Sequence, residues 1–93
     1  MSRYGWDPDK SEANNRRHGV DFTEAESVAN SPLGAWARDR EHSDLEDRMR
    51  IVGWSSAGRL LVVVVSVSGP VPRIIPARRT TKRERDAYKD RRP

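Results

Sequence analysis

Cysteine is absent from this sequence, and histidine occurs only as His18 and His42. The first absence excludes a disulfide-stapled fold, a thiol nucleophile and a cysteine-ligated metal. The second leaves a histidine-rich zinc site without ligands, so neither a metal nor another cofactor is expected. Aromatic residues are just as scarce: Tyr4, Trp6, Phe22, Trp36, Trp54 and Tyr88. Apolar residues make up 34% of the 93, no more than the charged residues at 34%. The core must therefore be small, and there is material for one domain over residues 1–93. The longest apolar run, residues 60–65, falls far short of the roughly 20 residues that cross a bilayer. The opening MSRYGWDPDK has no apolar stretch of the kind a signal peptide needs. A cytoplasmic protein without membrane contact is the expectation. There is also no Walker loop, GxGxxG or HExxH, so nucleotide hydrolysis and metalloprotease chemistry lack their parts.

Charge is abundant but unevenly placed. Residues 1–72 carry nine Lys and Arg against eleven Asp and Glu, a net of −2. Residues 73–93 carry nine Lys and Arg against Glu84, Asp86 and Asp90, a net of +6. A basic end of this density attracts RNA, DNA or an acidic protein surface. Arg outnumbers Lys there, and the guanidinium fork pairs with phosphate oxygens two at a time.

Local signals divide the chain into elements. Residues 3–6 read as a short first strand. Asp7 then caps a helix whose first turn holds Pro8, which has no amide hydrogen to leave unpaired. This helix, residues 8–18, is almost wholly polar, with Ala13 its one apolar residue, and Gly19 closes it. A helix so polar must be held by a neighbour. Asp21 and Glu24 open a second helix in which Phe22, Ala25, Val28 and Ala29 share a face, and Asn30-Ser31-Pro32 stops it. From Leu33 the period changes from helical to alternating. A charged loop covers residues 39–47. Residues 48–54 form a strand with Met49 and Ile51 on one side, and Ser55-Ser56-Ala57-Gly58 turns the chain. Residues 59–68 contain LLVVVV, β-branched enough for a central strand covered on both faces. A last strand over residues 73–77 places Pro76 at an edge or an end. Thr81-Lys82-Arg83-Glu84 is a capping box that opens a final helix to about residue 90. The class is α+β, with an antiparallel sheet. Trp6, Trp36 and Trp54 are expected as core plugs rather than base-stacking platforms.

Scattered polar residues carry what chemistry there is. His18 ends the first helix, His42, Glu46 and Arg48 lie in or beside the charged loop, and Arg78 and Arg79 follow the last strand. Such a set suits RNA cleavage without a metal. A base takes the proton of the ribose 2′-hydroxyl, an acid protonates the leaving oxygen, and cations steady the charge on phosphorus. Each residue also has a plain structural reading: His18 at a helix end beside free carbonyls, Glu46 and Arg48 as a surface pair.

In order along the chain, Trp6-Asp7-Pro8-x-Lys10, Asn14-x-x-Arg17-His18-Gly19-Val20-x-Phe22, Glu24-Ala25, His42-Ser43, Glu46-x-Arg48, Gly58-Arg59-Leu60-Leu61-Val62 and Arg73-Ile74-Ile75-x-Ala77-Arg78 resemble the BrnT family of type II toxins. The resemblance runs from about Tyr4 to Tyr88. It implies a RelE-like fold and a ribonuclease that arrests translation. It also implies a ribbon-helix-helix antitoxin (BrnA-like) that covers the toxin's basic site, in a complex that binds operator DNA. On that basis Arg78 and Arg48 are expected as phosphate and transition-state cations, His18 as general acid or base, and Glu46 as a base or as the orienter of Arg48. Lys10, Arg17, Arg79, Lys82 and Arg83 are expected to contact RNA. The chain departs from the family pattern in three places: Arg17 replaces Lys, Ser66-Val67-Ser68 replaces a polar Thr-Glu-Arg, and Pro76 replaces Ser. They define the alternative, a degenerate toxin homologue that binds antitoxin and acts as an operator co-repressor.

Overall fold

The computed structural model of the chain describes residues 3–39 and 47–90. Helices α1 (Pro8–His18) and α2 (Phe22–Ala29) come first. The strands β1 (Ala35–Arg38), β2 (Arg48–Trp54), β3 (Leu60–Ser66) and β4 (Arg73–Arg79) follow, then helix α3 (Lys82–Lys89). The strands form one antiparallel sheet in the order β1-β2-β3-β4, the α+β meander that the sequence predicts.

Each helix starts where its cap places it. The Asp7 carboxylate accepts from the Asp9 amide, the Asp21 carboxylate from the Glu24 amide, and Thr81 with Glu84 completes a reciprocal capping box. Gly19 ends α1 at φ 71°, a left-handed turn that only glycine makes without strain. The predicted N-terminal strand is reduced to one parallel bridge between Gly5 and Arg73. The Asp7 cap follows too closely for a longer ladder. β1 likewise begins at Ala35, because Leu33 lies in the preceding turn, 68% exposed.

The core lies between α2 and one face of the sheet. Phe22, Ala25 and Val28 of α2 meet Ile51, Leu61, Val63, Val65, Ile74 and Ala77. Trp6 packs against it from the side, edge-on to Phe22 at 6.4 Å. Trp36 and Trp54, expected inside, are instead 44% and 45% exposed. Trp36 sits on an edge strand and Trp54 at the hairpin end of β2. The small core is already filled by branched aliphatic side chains.

Two polar devices hold the helices on. α1 has almost no apolar face, and its buried Asn14 replaces one. The Asn14 amide donates to the carbonyls of Val20 and Ala77 (2.7 and 2.8 Å), and its oxygen accepts from the Ala77 N–H at 3.2 Å. Asn14 therefore satisfies the open edge of β4 and lays α1 along it. On the other side Glu24 of α2 accepts from Ser55 Oγ (2.7 Å), Arg59 Nε (2.9 Å) and Arg59 Nη2. The Arg59 contacts hold the Glu24 carboxyl below its usual range.

Candidate active site

The site is built on the sheet face that α2 leaves uncovered. Side chains alternate along a strand, and residues paired across strands share a face. Ile51, Val63 and Ala77 form a row that points into the core. The rows on either side point the other way. One is Val52–Val62–Arg78; another sets Arg50 opposite Val64; a third is Arg48–Ser66–Arg73. Arginines on β2 and β4 thus flank a floor of Val62, Val64 and Ser66. The register shifts between Val63 and Val65, whose partners are Ala77 and Ile74. Ile75 and Pro76 bulge out there, where proline has no amide to offer β3.

A cleft of about 240 Å³ opens over this floor, lined by His18, Asp39, Arg50, Val62, Val64, Pro76 and Arg78. His18 arrives as the last residue of α1, and so depends on the Asn14 dock. Asp39 extends β1 by one bond, its N–H donating to the Arg48 carbonyl at 3.0 Å, and is only 4% exposed. Arg78 donates to both Glu84 carboxylate oxygens, at 2.7 and 2.9 Å. Glu84 also accepts from the Thr81 amide at 2.8 Å. These bonds, Arg78 first, hold its carboxyl at about 2. The capping box of α3 is therefore also the clamp on Arg78.

Two further clefts continue the first. His18 and Pro76 are shared with one that holds Lys10 and Arg17. Lys10 and Ile75 are shared with another that holds Arg48, Ser66 and Arg73. An imidazole, a carboxylate and a row of cations thus follow one another along the sheet. That arrangement suits an extended polyanion.

A family model described as the ribonuclease toxin BrnT of type II toxin-antitoxin systems matches residues 6–84. This chain belongs to the BrnT toxin family. Membership makes it a type II toxin-antitoxin ribonuclease toxin with an antitoxin as partner. No curated protein matches the chain. No helix among the described residues is long and apolar enough to cross a membrane.

Of the residues expected in the BrnT site, His18 and Arg78 share the central cleft, with Lys10 and Arg17 adjoining. Arg48 lies at the far end of the face, beside Lys10. Arg79 pairs with the core residue Leu61 and so points away from the site face, and at the hairpin end of the sheet it lines a cleft with Trp54, Arg59 and Arg85. Lys82 and Arg83 are exposed in the first turn of α3, Lys82 paired with Asp86 at 2.9 Å. Glu46 and His42 lie outside the described residues. Sequence reasoning missed Asp39, Arg50 and Arg73 as site residues. The alternation of β2, with Met49 and Ile51 inward, already placed Arg50 on the face of Arg48. Nothing local marked Asp39.

Proposed function

We propose that this BrnT toxin cleaves RNA by metal-independent transesterification, arrests translation, and is neutralised by a ribbon-helix-helix antitoxin whose complex binds operator DNA. The observation that carries the reading is the gathering of His18, Asp39, Arg50 and Arg78 in one cleft. Arg50 and Arg78 supply the positive charge that steadies the phosphorane. The 2′-hydroxyl oxygen bonds to phosphorus as its proton passes to a base, and the P–O5′ bond breaks as an acid protonates the leaving oxygen. His18 fills one of these proton-transfer roles, and the Asp39 carboxylate stands in the same cleft for the other. The products are a 2′,3′-cyclic phosphate and a 5′-hydroxyl. Arg17 and Lys10 continue the phosphate path.

The degenerate-homologue reading draws on the Arg78–Glu84 pair, because a clamped guanidinium is partly neutralised before any phosphate arrives. Expression without antitoxin separates the two. The ribonuclease reading predicts growth arrest with loss of protein synthesis, abolished by His18→Ala or Arg78→Ala in soluble, folded protein. A wild-type chain that is soluble and binds antitoxin but leaves growth unchanged contradicts it and favours the binding module.

A further inference from the structure

Lys10, Arg48 and Arg73 meet in a cleft of about 110 Å³ that is separate from the one holding His18 and Arg78. We infer that this cleft is a phosphate subsite that grips the RNA backbone beside the scissile phosphate and takes no part in the chemistry. The inference rests on the ribonuclease reading and deepens it.

Three observations carry it. First, the register sets Arg48, Ser66 and Arg73 in one row across three strands. The two arginines therefore rise from either side of Ser66, with two interstrand spacings, roughly 10 Å, between their backbones. Side chains of that length converge on a single anion above the middle strand. Lys10 reaches the same cleft from α1. Second, among the described residues that line it, the cleft gathers three cationic side chains, whose N–H donors suit phosphate oxygens, with Asp7, whose Oδ1 is engaged by the Asp9 amide at 2.8 Å. Third, Arg73 is held on both sides. Ser66 pairs with it from β3, while Gly5 bridges it from the other edge, the Gly5 N–H donating to Pro72 O and its carbonyl accepting from the Ile74 N–H, each at 2.9 Å. A pinned stem presents the guanidinium at little cost in backbone order.

The place of the subsite along the face identifies the ligand. Arg48 lies two residues from Arg50 on β2, about 7 Å along the strand, the order of one nucleotide step. Lys10 belongs both to this cleft and to the one containing Arg17 and His18. A strand whose scissile phosphate lies at Arg50 and Arg78 therefore brings a neighbouring phosphate to Lys10, Arg48 and Arg73. This reassigns Arg48 from transition-state cation to binding residue.

Substrate length tests the assignment. Non-cleavable 2′-O-methyl RNAs of two, four and six nucleotides are titrated with wild-type protein, Arg73→Gln, Arg73→Lys and Lys10→Gln, with folding checked by thermal melts. The wild type should gain affinity from two to six nucleotides. Arg73→Gln and Lys10→Gln should lose about tenfold on the longer RNAs, as expected for one charge-assisted contact, and almost nothing on the dinucleotide. The salt slope should fall by about 0.7 for each lost single-strand contact, and Arg73→Lys should recover part of the affinity. In turnover with cleavable RNA, Arg73→Gln should raise KM and leave kcat unchanged. Equal length-dependent gains in wild type and Arg73→Gln overturn the subsite while leaving the ribonuclease reading intact. The subsite falls in the same way if Arg73→Gln weakens only antitoxin or operator binding. A wild type that binds no RNA of any length overturns both.

Discussion

Asn14 carries more of this fold than its size suggests, and replacing it is a demanding test of how α1 is held. Its amide makes three hydrogen bonds to backbone groups of Val20 and Ala77, residues that are 0% and 1% exposed. Asn14→Ala removes all three and leaves two buried carbonyls and one buried N–H without their partner. At a net value of about 1 kcal/mol each, with a further penalty for groups that stay unpaired, the loss is roughly 3–5 kcal/mol. That is a large share of the 5–15 kcal/mol typical of a small domain. In a thermal melt it corresponds to a drop in Tm of roughly 15–30 °C. Urea unfolding followed by tryptophan fluorescence and by circular dichroism measures the same loss at fixed temperature. Asn14→Asp should fare no better, because it keeps an acceptor but turns a charge toward two carbonyls. Because α1 also delivers His18, RNA cleavage should fall with stability. A folded Asn14→Ala protein within about 0.5 kcal/mol of wild type would refute the claim that a side-chain amide stands in for an apolar face.

Two other expectations follow from single contacts. The Glu84 carboxyl is held at about 2, against an ordinary value of 4.5, so its contribution is complete above pH 4.5 and is lost as pH falls toward 2. Melts of wild type and Glu84→Gln should differ at pH 7 by about 1 kcal/mol, a value discounted for the 41% exposure of the Arg78 side chain. That gap should close near pH 2; a gap unchanged at pH 2 contradicts the clamp. Gly34 lies so close to the core that an added Cβ would stand 2.9 Å from Cγ2 of Ile51. Gly34→Ala should therefore cost about 1–3 kcal/mol through overpacking, and an unchanged midpoint in urea would show that the core yields there freely.

What the sequence made legible was local. Asp7 with Pro8, Asp21 with Glu24, and Thr81 with Glu84 act within a single turn, so each helix start can be read from a few residues. The valine run of β3 declares itself by composition, and Met49 and Ile51 reveal the inward face of β2. What stayed hidden depends on register. The row Arg48–Ser66–Arg73 exists only once three strands have paired. The bond between Asn14 and Ala77 spans 63 residues. Asp39 reads as part of a charged loop, yet is buried because β1 extends one bond past its last strand residue. Trp36 and Trp54 mislead for a related reason. A large apolar side chain predicts burial only if its strand position faces a partner layer. The Glu84 capping box was plain, but its second role needed the end of β4 to lie beside α3.

The central claim is that His18, Asp39, Arg50 and Arg78 form one metal-independent ribonuclease centre. Antitoxin-free protein incubated with RNA in excess chelator, with the fragment ends identified, tests it most directly. The expected fragments end in 2′,3′-cyclic phosphate and begin with 5′-hydroxyl, and they form at an undiminished rate in chelator. Cleavage should disappear in Arg78→Ala and fall steeply in Arg50→Ala, both at unchanged fold. Cleavage that stops on chelation, or persists at full rate in folded Arg78→Ala, would contradict it.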